Sequence, residues 1–187
     1  MIILASASSV RRRLLANVGL RFSVHPADID ESARENEDVF AMGERLAREK
    51  ALKVSRAQKH AWVIGVDQVG ECRGEVLRKC YSENDARAQL KRMQGHFHDF
   101  ESFASIAKGG KTQASLSERA RVHFRALSDD DIGRYLKTRE WRGSAGSYHL
   151  EGQGAQLVRK LEGHESAVYG LPLFALLNAL REHGALT

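Results

Sequence analysis

Apolar positions along the chain switch between short consecutive runs, which suit buried strands, and spacings of three and four, which suit helices. The run Met1-Ile-Ile-Leu-Ala5 predicts a short buried strand. Val10, Leu14, Leu15 and Val18 then recur at helical spacing, and Gly19 predicts the stop. Arg21 to His25 reads as a second strand, after which Pro26 and Asp28-Ile-Asp-Glu31 open a polar loop. Val39, Met42, Leu46 and Ala47 mark one side of a long helix from about Asp38 to Ala57. Trp62 to Val66 is short and β-branched, which predicts a buried strand ending at Asp67-Gln-Val69. Arg73-Gly74 suits a hairpin turn, and Ser82 with Asp85 starts a helix that Gly95 closes. Two extended segments, Phe97 to Ala107 and Gln113 to Arg125, flank the hairpin signal Lys108-Gly-Gly-Lys111. Ser128 and the acids after it cap a helix to about Lys137, and glycines 143, 146, 152 and 154 mark a loop-rich stretch. Pro172 begins a last helix whose expected buried stripe is Leu173, Phe174, Leu177 and Leu180. Strand–helix alternation early and hairpins in the middle predict an α/β fold with a mixed sheet, one domain over residues 1–187.

Composition narrows the partners. The chain has 187 residues, 42% hydrophobic and 28% charged, which is ordinary usage for a folded soluble domain and excludes a low-complexity chain. Its formal net charge of +5 suits an anionic partner such as a nucleotide, a nucleic acid or a phosphorylated metabolite. No stretch approaches the roughly 20 apolar residues of a membrane span. Arg11-Arg-Arg13 follows the apolar start, the reverse of a signal peptide, so a cytoplasmic protein is expected. Cys72 and Cys80 match no metal or disulfide spacing and are expected to be reduced thiols.

The candidate chemistry concerns phosphate. A strand, a serine-rich turn and a helix start over Leu4 to Arg13 form a cradle in which backbone N–H groups, Ser6, Ser8 and an arginine can hold an anion. Successive helix positions lie about 100° apart, so Arg11, Arg12 and Arg13 cannot all face one ligand. Asp28, Asp30, Glu31 and Asp67 are carboxylates able to hold Mg²⁺, with ordinary turn or ion-pair roles as the alternative. Lys50 and Lys79 can neutralise phosphates, although solvated lysines are commonplace. His96 and His98 share a strand face, but no further ligand completes a zinc spacing. Neither a GxxxxGK[ST] loop nor a GxSxG elbow occurs, and Trp62 and Trp141 read as packing residues.

Taken in order, Leu4-Ala-Ser-Ala-Ser8 with Arg11 and Leu14-Leu15, Ile29-Asp-Glu31, Arg45-Leu-Ala47 with Glu49-Lys-Ala51, Gly65-Val-Asp-Gln-Val69 and Gly170-Leu-Pro-Leu173 resemble the Maf-type nucleoside triphosphate pyrophosphatases. The match covers almost the whole chain. The resemblance implies a fold similar to the inosine triphosphate pyrophosphatases, a mixed twisted sheet with helices in two lobes around a cleft. It also implies hydrolysis of a nucleoside triphosphate between the α and β phosphates, with a divalent cation, Mg²⁺ or Mn²⁺. Asp67 matches the family's proton acceptor, Ser8, Arg11, Lys50 and Lys79 match phosphate-side positions, and Glu31 matches an acid serving metal or water, with Asp67 as its companion at the metal. Val10, Gln68 and Glu151 match positions associated with base choice. Asp67-Gln68, Ala145-Gly-Ser147 and Glu151 look like the 7-methyl-GTP branch rather than the dTTP and UTP branch. The sequence departs from the family's pattern at Ser9, at Arg78 and Cys80 around Lys79, and at Ser102-Phe103. The resemblance admits a homodimer. A basic nucleic-acid module is disfavoured by the interspersed acids and the lack of a binding signature, and a cell-division interaction protein is the other alternative.

Overall fold

The computed structural model describes residues 1–186. Its strands are β1 (Ile2–Leu4), β2 (Ser23–Val24), β3 (Trp62–Cys72), β4 (Glu75–Val76), β5 (Phe97–Lys108), β6 (Lys111–Phe124) and β7 (Val158–Glu162). Its helices are α1 (Ser9–Asn17), α2 (Val39–Ala57), α3 (Glu83–Met93), α4 (Asp129–Leu136), α5 (Glu165–Val168) and α6 (Leu173–Glu182). The strands form one sheet in the order β2-β1-β3-β5-β6-β7, with β4 paired to β3. β1 runs parallel to β2 and β3, whereas β4 and β7 run antiparallel to β3 and β6. This is the mixed α/β sheet that the pattern predicts. Both tight hairpins turn on two residues with positive φ, Arg73 (55°) with Gly74 (81°) and Gly109 (58°) with Gly110 (77°), which matches the twist of the flanking strands.

The chain divides into two compact units. One holds residues 1–68, 101–118 and those from 169 onward; the other holds 69–100 and 119–168. In the first, successive β1 residues feed opposite faces. Ile2 and Leu4 pack with Leu15 of α1, Ile64, Val66, and Leu176 and Leu180 of α6, while Ile3 and Ala5 pack with Val54 of α2, Ala61 and Val63. A strand covered on both faces has no polar side, which is why its sequence reads as an unbroken apolar run.

The second unit has one core, in which α3 and α4 contribute Leu90, Met93, Ile132 and Leu136 beside Phe100, Phe124, Trp141 and Tyr148. Trp141 is buried and donates through Nε1 to Leu136 O at 2.9 Å, a packing role as expected. Inside this core His98 Nε2 lies 2.9 Å from the Tyr148 hydroxyl, and its ring meets Phe124 edge-on at 4.8 Å. Burial pushes the His98 pKa down to about 3.

Three expectations change. β3 does not end at Asp67 but continues to Cys72, because its far end pairs with β4, Glu71 opposite Val76 and Cys72 opposite Glu75. Phe174 is 55% exposed and Leu176 is fully buried, so the inward stripe of α6 runs through 173, 176 and 180. β7 has no counterpart in the pattern. Its sequence Val-Arg-Lys-Leu-Glu is largely exposed and charged, as suits an edge strand, and it is held by its ladder to β6.

Two outcomes follow from this packing. Gly65→Ala places a Cβ 2.1 Å from Ala47 O and 2.5 Å from Ala51 N of α2, and urea unfolding should show a loss of about 1–3 kcal/mol or more. Gly133→Ala, in α4 with nothing within 4 Å, should instead gain up to about 1 kcal/mol. The unfolded chain binds a proton at His98 near pH 6.5 that the folded chain refuses until about pH 3. Stability from this group is therefore present above pH 6.5 and falls by about 1.4 kcal/mol per pH unit as the pH drops through that window. His98→Phe should flatten the slope between pH 6.5 and 5, a range above the titration of ordinary carboxylates.

Candidate active site

Alternate residues of β3 point at α2. Val63 packs with Val54, Gly65 lets the α2 backbone approach to contact distance, and Asp67 Oδ1 accepts a hydrogen bond from Lys50 Nζ at 2.7 Å. Lys50 is only 7% exposed. A buried ammonium is costly unless paired, and this one is paired twice, since Glu31 Oε1 lies 2.8 Å from the same nitrogen. Two carboxylates from distant parts of the sequence thus converge on one cation.

Glu31 sits in an exposed loop, yet that loop is fastened to α2. Arg45, buried on the helix, grips Glu37 with both arms of its fork at 2.6 and 2.7 Å, pairs with Glu49 at 3.1 Å and donates to Ser32 O at 3.0 Å. The guanidinium holds the Glu37 carboxyl down to about 2. Arg34 pairs with Glu49 at 2.8 Å, and Lys53 Nζ donates to Asp28 O. The acidic run is thereby sorted. Asp30 accepts from Ser32 N at 2.9 Å as a turn residue, Asp28 engages α2 through its carbonyl, and Glu31 reaches Lys50. No role for Arg45 follows from the sequence pattern alone; its signal is an arginine in the apolar stripe of an amphipathic helix.

The turn between β1 and α1 organises Arg11. Ser8 caps α1 by accepting from Arg11 N at 3.3 Å, and Ser6 Oγ accepts from Ser8 N and from Arg11 Nη1, each at 3.3 Å. Arg11 Nε donates to Gly170 O at 2.7 Å, and Nη1 also donates to Val66 O at 3.3 Å. Burial lowers the pKa of this guanidinium, opposed by the charges of Asp67 and Glu31. Arg12 and Arg13 are exposed, as helix geometry requires. Gly170 (φ 87°) is held close: a Cβ there would lie 3.0 Å from Arg11 Nη2 and 3.3 Å from Gln68 Oε1. Gln68 follows Asp67 on β3 and Val10 lies in the first turn of α1, both half-buried. The first unit therefore assembles Ser8, Arg11, Glu31, Lys50, Asp67 and Gln68.

Lys79 and Glu151 belong to the second unit. Lys79 is exposed and its backbone pairs with Ala145 of the glycine-rich stretch. The Glu151 carboxylate lies 3.3 Å from His149 Nδ1. His96 and His98 do not act as a pair. His96 is exposed before β5 begins, whereas His98 is enclosed by aromatic rings. Among the described residues no group of three or more His, Cys, Asp or Glu side chains converges as a metal cage, and no helix is long and apolar enough to cross a membrane.

Relatives cover the chain from end to end. A protein of Myxococcus xanthus named dTTP/UTP pyrophosphatase is 39% identical over 98% of this chain and 93% of its own length. One of Nitrobacter winogradskyi named nucleoside triphosphate pyrophosphatase is 40% identical over 100% and 95%. One of Colwellia psychrerythraea named 7-methyl-GTP pyrophosphatase is 36% identical over 98% and 92%. Residues 1–183 match the family described as Maf-like protein, and the chain belongs to that family.

Proposed function

We propose that this protein is a nucleoside triphosphate pyrophosphatase, a hydrolase that cleaves between the α and β phosphates to release a monophosphate and pyrophosphate. The observation that carries the reading is the convergence of Asp67 and Glu31 on Lys50, beside the half-buried Arg11. The names of the relatives support the same reaction. Attack by water on a polyanion requires that its charge be offset before the water can approach. Arg11 and Lys50 supply fixed positive charge, and the N-terminal turn of α1, capped by Ser8, presents backbone donors. Asp67, anchored in a rigid strand, orients the attacking water and takes its proton. Lys79 matches a further phosphate-side position of the family's pattern.

The donor set fits a divalent cation. Glu31 and Asp67 are hard oxygen donors, and Mg²⁺ is characteristically held by one or two carboxylates, with substrate phosphates and water completing its shell. Bound there, the cation would neutralise phosphate charge and acidify water. Glu31 and Asp67 would hold it, and Arg45, by fastening the loop, keeps Glu31 in range.

For the base, the reading is 7-methyl-GTP, on Gln68 beside Asp67 and on the Glu151 carboxylate, whose charge suits a cationic methylated guanine and whose oxygens accept from a guanine edge. Pyrimidine triphosphates are the competing choice, favoured by the name of the 39% identical relative. Turnover of 7-methyl-GTP, GTP, dTTP, UTP, CTP and ATP with Mg²⁺ or Mn²⁺ should yield monophosphate and pyrophosphate, fastest for 7-methyl-GTP. Preference for dTTP and UTP would correct the base, and release of orthophosphate with diphosphate would overturn the cleavage site. Asp67→Asn should lose roughly 10²–10⁴ in kcat and remain folded by circular dichroism. Near-full activity in that variant would remove Asp67 from the chemistry.

A further inference from the structure

Helix α3 buries a single amide, Gln89, that holds two separate segments of the second unit. Its Oε1 accepts from Arg78 N at 3.0 Å, while Nε2 donates to Arg78 O at 3.0 Å and to Ser147 Oγ at 2.8 Å. The side chain thus reads the Arg78 peptide as a neighbouring strand would. Its orientation is fixed, because a flipped amide would set donor against donor and acceptor against acceptor.

Arg78 immediately precedes Lys79, and Ser147 lies four residues before Glu151. Backbone contacts run alongside: Lys79 bridges Ala145, Cys80 bridges Arg142, and Gly143 N donates to Cys80 O at 2.8 Å. Ser147 is fully buried and left-handed (φ 57°), a conformation uncommon for a residue with a side chain, and its hydroxyl is tied to Gln89. Leucine or methionine would meet the packing demand of this helix position. A buried amide there is tolerated only because both segments satisfy it. Gln89 also lines a pocket of about 490 Å³ together with Arg78, Lys79, Arg92 and the acids Glu75 and Asp85.

We infer that Gln89 is a positioning residue that sets Lys79 in register with the glycine-rich loop bearing Glu151, so that phosphate-side charge and base-side carboxylate are presented together. The inference rests on the proposed pyrophosphatase reading. Gln89→Met keeps the volume and deletes the clamp, Gln89→Glu keeps the acceptor for Arg78 N, and Ser147→Ala removes one hydroxyl only. In steady-state kinetics on the two best nucleotides, Gln89→Met should raise KM about tenfold with kcat within about threefold. It should also shift the kcat/KM ratio between the two bases, and Gln89→Glu, which sets an oxygen against Arg78 O, should share both effects. Ser147→Ala should move the same ratio in the same direction, and its effect should be non-additive with Gln89→Met. A merely structural amide would lower the yield or melting temperature while leaving KM and the base ratio of the folded fraction unchanged, which would overturn the inference. Should Gln89→Met fail to fold, Gln89→Glu and Ser147→Ala carry the test on the same two readouts. A wild-type protein inactive on every nucleotide would remove the pyrophosphatase reading and this inference with it, whereas an active wild type with unchanged variants would remove this inference alone.

Discussion

Helix α2 can lie against β3 only where the strand offers no side chain, and Gly65 is that place. The approach sets the distance between the helix and the next inward position of the strand, Asp67, and brings Lys50 to 2.7 Å from it. Lys50 lies one residue before Ala51, whose backbone nitrogen covers Gly65. Packing and charge placement are therefore one event: the helix that buries Val54 against Val63 delivers the ammonium to the carboxylate. In a looser contact the pair would part, leaving a charge that burial makes expensive.

The same helix organises a segment with almost no apolar content of its own. The loop from Asp28 to Glu37 cannot be held by hydrophobic burial, so Arg45, Glu49, Lys50 and Lys53 hold it by charge and hydrogen bonds. The Arg45–Glu37 contact is the anchor, since a bidentate guanidinium–carboxylate pair is directional and its arginine is buried. Glu31, exposed on that loop, acquires a definite position by being tied a few residues from the anchor.

In the second unit neutral groups do the corresponding work. Gln89 and the His98–Tyr148 contact both bind the glycine-rich stretch to the core, one through Ser147 and the other through the adjacent tyrosine. Glycines allow that stretch its course, and buried hydrogen bonds fix it. His98, whose placement beside His96 invites a metal reading, is a core residue kept neutral by burial.

The sequence by itself determined the elements whose signal is local. Helix caps at Ser82 and Ser128, the two-residue hairpin turns, and the apolar runs of β1 and β3 all appear where the pattern puts them, whereas the caps at Ser8 and Asp38 emerge only in the structure. The family motifs likewise singled out Ser8, Arg11, Glu31, Lys50 and Asp67, all of which lie in the first unit. Tertiary structure alone decided the rest. That Glu31 rather than Asp28 or Asp30 meets Lys50 depends on a loop folded by Arg45, and that β7 forms depends on a ladder to β6 that its own charged residues do not announce. The work of Arg45 and Gln89 was hidden because a hydrogen bond between residues far apart in sequence leaves no periodicity; only the folded chain brings donor and acceptor within reach.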